Sequence, residues 1–377
     1  MTTASIQING DTDPRFARVR TAFASCFADG LEHGSGVAVS LEGKLVVDLW
    51  GGHADAARTR PWQRDTLVNV WSVSKAVLAV AVAMMVERGK LSYEDPISAV
   101  WPEFAANGKD KITLDLAMSH QAGLNGLSVP MDLAGLYAWT PFAEALAAMA
   151  PLWEPGSRNV YHPITYGHLA GEPLRRAAGC SVGTFIAREV ADPLAAEFYL
   201  GLDTAREAQV AEIVTTPSVT ESAAEGPYPQ GSRNPVVRPD VPNSRGWRAA
   251  EIPGANGHAT ARGLAVIFGD VASSTPSLLS PTGRAAMTRE RFRGIDSGDG
   301  RALAYGAGVR IFDRKNFGPR PGTGVFGHPG WGGSLAFGDS ESGLGFAFVT
   351  NRMQEFGEGA DPRRLRLIDA VYDSLGT

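Results

Sequence analysis

The chain has 377 residues, 44% of them hydrophobic, which is enough for one large domain or two interlocked ones and excludes a marginal miniprotein. Lys and Arg total 35 against 40 Asp and Glu, a net charge of −5, so no basic excess exists to neutralise a phosphate backbone and nucleic acid is not an expected partner. The two cysteines, Cys26 and Cys180, make no disulfide framework and lack C-x-x-C spacing, and both read as small buried apolar residues.

The opening residues show neither a basic n-region nor an apolar h-region, and the expected compartment is the cytoplasm. Asp13-Pro14 starts a helix with Phe16, Val19, Phe23, Cys26 and Phe27 on one face and Gly30 as its stop. Val37 to Leu41 and Leu45 to Trp50 read as a hairpin turned at Glu42-Gly43-Lys44. A short apolar segment, Leu67 to Trp71, leads through Ser72-Val73-Ser74-Lys75 into Ala76 to Val86, an apolar run of 11 residues. A bilayer span needs roughly 18 to 20 such residues, so no membrane segment is expected. Because the run is apolar nearly all round, it predicts a central helix surrounded by protein.

Helical pieces follow at Ile112 to Ser119, Thr140 to Met149, Ile164 to Ala177 and Val182 to Val190. Thr215 to Gly254, rich in Pro, Ser, Gly and Arg, reads as a long lid-like loop; a plain surface loop is the favoured reading, and the alternative makes it, with Trp247, part of an acyl or alcohol pocket. Thr260 to Val271 is helical, Tyr305 to Phe312, Ser334 to Phe337 and Gly345 to Thr350 are strands, and Pro362 to Leu375 is a last helix burying Leu365, Ile368, Val371 and Tyr372. Strands at both ends and helices between predict an α/β (α+β) fold: an antiparallel sheet domain from residues 1–70 and 255–377, flanked by helices, with a mainly helical domain, 71–254, inserted.

Seven histidines include no H-E-x-x-H pair, so no metal is expected, and nothing calls for a cofactor. Gly322-Thr323-Gly324-Val325-Phe326-Gly327 matches G-x-G-x-x-G but reads as a glycine-rich turn, with no clear strand before it and no helix after. No G-x-S-x-G exists, which removes a nucleophile elbow. Ser72 and Lys75 are instead an S-x-x-K at the start of the central helix. Residues three apart share a helical face, the helix N-terminus offers free N–H groups to an oxyanion, and burial lowers a lysine from about 10.4 toward a neutral, proton-accepting amine. Tyr161 sits just before the Ile164 helix, where it can reach a site between domains. His328-Pro329-Gly330-Trp331-Gly332-Gly333-Ser334 runs a glycine-rich turn into an apolar strand, letting backbone N–H groups approach a carbonyl.

With these blocks, K-I-T-L-D-L-A-M-S-H-Q-A-G-L, Y-H-P-I-T-Y-G-H-L-A-G-E and A-N-G-H-A-T-A-R-G-L-A, the chain resembles the β-lactamase-fold serine esterases, family VIII carboxylesterases, relatives of class C β-lactamases and D-alanyl-D-alanine peptidases. The resemblance covers about residues 68 to 350 and implies a β-lactamase/transpeptidase-like fold. It implies Ser72 as nucleophile, Lys75 as the amine that helps deprotonate it, and Tyr161 as the proton-relaying phenol, with Tyr166 its competitor. His328, Gly330, Trp331 and Ser334 would line the substrate. The oxyanion hole would be the N–H of Ser72 with that of Trp331, or with that of Ser334 if Trp331-Gly332-Gly333 is the third motif.

Two departures bear on substrate. Pro163 fills the slot of a substrate-binding asparagine, and His328 stands where lactamases carry a cationic lysine. Both favour a short, uncharged ester as the small-molecule partner. The alternatives on the same site are a β-lactamase, a D-amino-acid peptidase or amidase, or an acyltransferase; a catalytically silent binding protein is the reading from a different class.

Overall fold

The structure is a computed structural model that describes residues 6–220, 234–313, 324–356 and 361–376. Its centre is a nine-stranded antiparallel sheet. The N-terminal strands are β1 (Ile8–Thr12), β2 (Gly34–Leu41) and β3 (Lys44–Gly52). Three two-residue strands follow: β4 (Val68–Asn69), β5 (Phe198–Tyr199) and β6 (Val214–Thr215). Next come β7 (His258–Ala259), β8 (Phe292–Ile295), β9 (Ala302–Tyr305) and β10 (Arg310–Phe312). The last are β11 (Val325–Pro329), β12 (Leu335–Asp339), β13 (Leu344–Thr350) and β14 (Arg352–Met353). The sheet order is β1-β3-β2-β13-β12-β11-β10-β9-β8, so the two ends of the chain meet where β2 pairs with β13. The small strands β4, β7 and β5 form a separate sheet.

The hairpin of β2 and β3 turns on Glu42 and Gly43, both at positive φ, the geometry that matches the twist of the flanking strands. β2 and β13 are buried almost throughout rather than alternately, because helices cover both faces. On one face lie α1 (Ala17–Ala28) and the C-terminal helix Pro362–Leu375, which join Phe16, Val19 and Phe23 to Val37, Val39, Phe346, Phe348, Leu367 and Val371. On the other, Ala38, Ala336 and Ala347 meet the central helix α2 (Val73–Glu87) and the helix Ala261–Ala272.

Between the two ends of the sheet the chain is mainly helical. It runs through α3 (Leu114–Met118), α4 (Leu133–Tyr137), α5 (Thr140–Ala148), α6 (Thr165–Ala178), α7 (Val182–Ile186) and α8 (Arg245–Ala249). The helix Ala261–Ala272 is α9, Pro281–Thr288 is α10, and Pro362–Leu375 is α11. Side chains at N-caps set many of these starts: Thr113, Asp132, Ser181, Ser244, Thr260 and Ser280 each accept from a backbone N–H of the first turn.

Several expectations change in detail. Tyr305 to Phe312 is two strands, broken by a turn in which Gly306 N–H bonds the Val309 carbonyl and Gly308 takes φ +78, with no room for a Cβ against the Tyr166 hydroxyl. Val325 to Gly327, read as part of a turn, lies in β11, while Gly322 and Thr323 fall outside the described residues. Cys26 is buried, its thiol pushed up to about 12 by burial, but Cys180 is half-buried. In α11 Ile368, Val371 and Tyr372 are buried as expected, but Leu365 is half-buried, and Leu367 and Arg363 are buried as well. Of Thr215 to Gly254, residues 221–233 lie outside the described residues; the part from Asn234 on carries α8 and the fully buried Trp247.

Candidate active site

The site forms where the start of α2, the segment before α6 and the end of β11 meet. β4 pairs with β7, and Val70 N–H bonds the Gly257 carbonyl, which fixes the approach to the helix. Trp71 then takes φ +50, unusual for a bulky residue, and turns the chain so that Ser72 caps α2 half-exposed. The strained turn is over-determined. The Trp71 ring packs at 4.9 Å from Trp331 and 5.7 Å from Trp247, whose indole N–H donates to Asn69 at 2.9 Å. The Ser74 hydroxyl donates to the Trp71 carbonyl at 2.5 Å and accepts from Gly257 N–H at 2.9 Å.

Lys75 is fully buried, with its Nζ 3.0 Å from Ser72 Oγ, 2.8 Å from the Pro163 carbonyl and 2.6 Å from the Gly254 carbonyl. Burial holds its ammonium well below the ordinary lysine range. A neutral amine has two hydrogens and one lone pair. Two carbonyls, which only accept, take the two hydrogens, and the lone pair is left facing the Ser72 hydroxyl. The arrangement therefore suits proton transfer from Ser72 to Lys75.

Tyr161 donates its hydroxyl to Ser72 Oγ at 2.7 Å, and its ring lies 4.9 Å from Lys75 Nζ. Burial pushes the phenol far up, so it is protonated at neutral pH. Its backbone N–H donates to the buried carboxylate of Asp296 at 3.0 Å, which ties it to the turn between β8 and β9. Tyr166, the competitor, is completely buried in α6 and donates to the Lys75 backbone carbonyl at 3.3 Å; no bond from it to Ser72 is present. Beneath Tyr161, the His120 ring lies 4.7 Å away, its Nδ1 accepting from His162 N–H. His162 accepts from Leu124 N–H at Nε2, so Nδ1 donates to the Val160 carbonyl; burial lowers this histidine to about 4 and keeps it neutral.

His328, near the end of β11, lies with its ring 5.9 Å from that of Tyr161. Its Nδ1 bonds the Pro329 carbonyl at 2.7 Å, its Nε2 is buried without a partner, and burial keeps it neutral. Gly330 packs on the Val70 carbonyl so closely that a Cβ would collide with it, which brings the β11–β12 turn to the approach to Ser72. Among the described residues the backbone N–H groups of Ser72, Trp331 and Ser334 meet no acceptor. Ser72 and Trp331 are half-buried, whereas Ser334 is buried with its Oγ accepting from Thr350 N–H at 3.3 Å. Trp331 is further held by its indole N–H, which donates to Glu355 at 2.9 Å.

The structure thus brings Ser72, Lys75, Tyr161, His328, Gly330 and Trp331 together and sets Ser334 one layer back. The sequence reading missed the Pro163 and Gly254 carbonyls, Trp71, Asp296 and Arg310. The last is a nearly buried guanidinium over the Tyr305 ring at 5.4 Å with an unpartnered Nε. Backbone acceptors leave no pattern in side-chain identities, so no motif announces them. Among the described residues no cluster of three or more His, Cys, Asp or Glu is placed to hold a metal, and no helix is long and apolar enough to cross a membrane.

Comparison with known proteins matches residues 23–370 to the β-lactamase family. The chain is 34% identical over 370 residues to the esterase/β-lactamase LipL of Mycobacterium tuberculosis, covering 93% of this chain and 84% of that protein. A family VIII carboxylesterase crystal structure superposes with a TM-score of 0.91 at 38% identity, covering 98% of this chain and all of that one (100%). A penicillin-binding protein homologue from Caulobacter crescentus gives 0.88 at 40% identity, over 98% of this chain and 100% of that one.

Proposed function

The chain belongs to the β-lactamase family, with the β-lactamase/transpeptidase-like fold, and we propose that it is a serine carboxylesterase hydrolysing short-chain, uncharged esters through an acyl-enzyme on Ser72. The observation that carries this reading is the shared contact at Ser72 Oγ: Lys75 Nζ at 3.0 Å and the Tyr161 hydroxyl at 2.7 Å.

In the proposed reaction Ser72 gives its proton to the neutral Lys75 amine as Oγ attacks the ester carbonyl. The oxyanion is held by the N–H groups of Ser72 and Trp331, at the positive end of α2. As the tetrahedral intermediate collapses, the Tyr161 phenol protonates the departing alkoxide, and the Lys75 ammonium returns a proton to the phenolate. Because burial disfavours phenolate so strongly, that ion is transient. Deacylation runs the same relay backward, with water giving up a proton toward Lys75 and Tyr161 and Ser72 regaining its own.

The uncharged substrate rests on the same electrostatics. His328 is neutral and buried where a lactamase lysine would meet a carboxylate, and Pro163 offers a carbonyl, already bonded to Lys75, in place of a side-chain amide. A penicillin-recognising hydrolase or an acyl transferase would use the same three side chains and differ only in the partner they accept. A silent binding protein has no need for a lysine buried at the cost of its charge.

Labelling with a fluorophosphonate followed by peptide mass spectrometry tests the nucleophile. One adduct on the peptide carrying Ser72, suppressed by ester substrate, is the expected result. An adduct on another serine overturns the reading.

A further inference from the structure

A buried ion cluster behind the β11–β12 turn has no part in the proton relay. Arg363, in the first turn of α11, is completely buried, and all five of its N–H donors are spent. Nε bonds Asp361 at 2.9 Å; Nη1 bonds Glu32 at 3.0 Å and the Arg352 carbonyl at 2.9 Å; Nη2 bonds Asp361 at 2.7 Å and the Gly332 carbonyl at 2.9 Å. The neighbouring Arg364 donates from Nε to the Gly333 carbonyl at 2.7 Å.

Helix stability does not explain this placement. Two cations in the first turn of a helix oppose its dipole, and a buried guanidinium is costly to desolvate. The turn they grip, by contrast, has little of its own to hold it. Within it, Gly330 N–H bonds the Ser334 carbonyl at 2.6 Å, and Gly333 N–H reaches the Gly330 carbonyl only at 3.4 Å. Gly332 and Gly333 have φ +82 and +143, conformations that glycine adopts freely, and a Cβ on Gly333 would run into the Arg363 guanidinium. Trp331 is the residue between this pair and Gly330. Outside help also comes from Gln354 N–H, which donates to the Gly332 carbonyl at 3.0 Å. Glu32 in turn accepts from the Thr350 hydroxyl at 2.7 Å, and Thr350 N–H holds Ser334 Oγ.

We propose that Arg363 and Arg364 are positioning residues of the oxyanion hole. By drawing the Gly332 and Gly333 carbonyls toward α11, they fix the flexible turn so that Trp331 N–H stays beside Ser72. The inference rests on the Ser72 esterase reading and adds to it the device that pre-organises one donor. It neither adds a contact to substrate nor alters the proton relay.

The test compares wild type, Arg363→Lys and Arg364→Leu in ester hydrolysis and in inhibition by phenylboronic acid, whose tetrahedral adduct with a serine places an oxygen in the hole. The inference predicts that kcat falls about 10- to 100-fold while KM stays within about threefold, with the boronate inhibition constant rising in parallel. Arg364 is half-buried, so Arg364→Leu decides the matter even if Arg363→Lys fails to fold. Folded variants with kcat and boronate inhibition within twofold of wild type would overturn the inference alone. A wild-type enzyme indifferent to boronate overturns the Ser72 reading and this inference with it.

Discussion

The Tyr161 hydroxyl donates to Ser72 Oγ at 2.7 Å, and Lys75 Nζ lies 3.0 Å from the same oxygen. In the proposed reaction Lys75, whose own hydrogens are held by the Pro163 and Gly254 carbonyls, receives the serine proton, and Tyr161 supplies one to the leaving group. Removing the phenol oxygen leaves nucleophile and base in place. Tyr161→Phe is expected to lower kcat by about 10² to 10⁴-fold with little change in melting temperature. Stopped-flow turnover of a p-nitrophenyl ester measures it, and a variant within a few-fold of wild type would remove Tyr161 from the relay.

The pH profile follows from Lys75. Only the neutral amine accepts a proton, and burial lowers the lysine well below 10.5, so kcat/KM rises with pH through that depressed value and then levels. Tyr161, pushed upward by burial, adds no loss in the mildly alkaline range. A profile from pH 5 to 10 checks both statements. A rate still climbing between pH 9 and 10, as an ordinary lysine would give, contradicts the first. Lys75→Arg keeps a cation that does not deprotonate and is expected to lose about 10³-fold or more.

Gly330 tests the approach of the third segment to the first. Its α-carbon faces the Val70 carbonyl with no room for a methyl group, so Gly330→Ala pushes the turn away from Ser72. Losing one oxyanion donor typically costs about 10² to 10³ in kcat, and the variant is expected near that range with binding nearly preserved. Separate measurement of kcat and KM distinguishes this from general damage, which would appear as a lowered melting temperature.

Glu32 makes a prediction about stability. It is buried beside Arg363, which Asp361 shares, and burial raises its carboxyl from 4.5 to about 7. The folded protein then holds a proton between those values that the unfolded chain has lost. The contribution of Glu32 to stability accordingly falls as pH rises through that window and is constant above it, by about 3 kcal/mol at most. Because other carboxylates drift the opposite way, the quantity to measure is the difference between wild type and Glu32→Gln in urea unfolding. That difference should move against the wild type from pH 5 to pH 8; no drift, or drift of the other sign, contradicts the prediction.

What the sequence disclosed followed the strength of its patterns. The Ala76 to Val86 run has no polar face, and α2 is accordingly buried, with Ser72 and Lys75 one turn apart at its start. The apolar strands β2, β12 and β13 were legible for the same reason. The strands at the far end of the sheet were not: the edge strand β8 reads Phe-Arg-Gly-Ile, short and with one charged residue, and β9 and β10 are split by a turn in which Gly308 is crowded by the Tyr166 hydroxyl, Ala79 and Met118, neighbours distant in sequence. Arg363 and Arg364 look like surface charges on the polar side of an amphipathic helix, and nothing local shows that their partners come from residues 32, 332 and 333. The Gly254 carbonyl is equally silent, since a backbone acceptor reaching Lys75 from 179 positions away has no side-chain signature.

The most direct test of the account is hydrolysis of p-nitrophenyl acetate and butyrate beside nitrocefin, by wild type and Ser72→Ala at equal concentration. The account predicts rapid turnover of both esters by wild type, little action on nitrocefin, and ester turnover abolished in Ser72→Ala. Ester hydrolysis that survives the loss of the Ser72 hydroxyl, or nitrocefin turned over in preference to the esters, would contradict it.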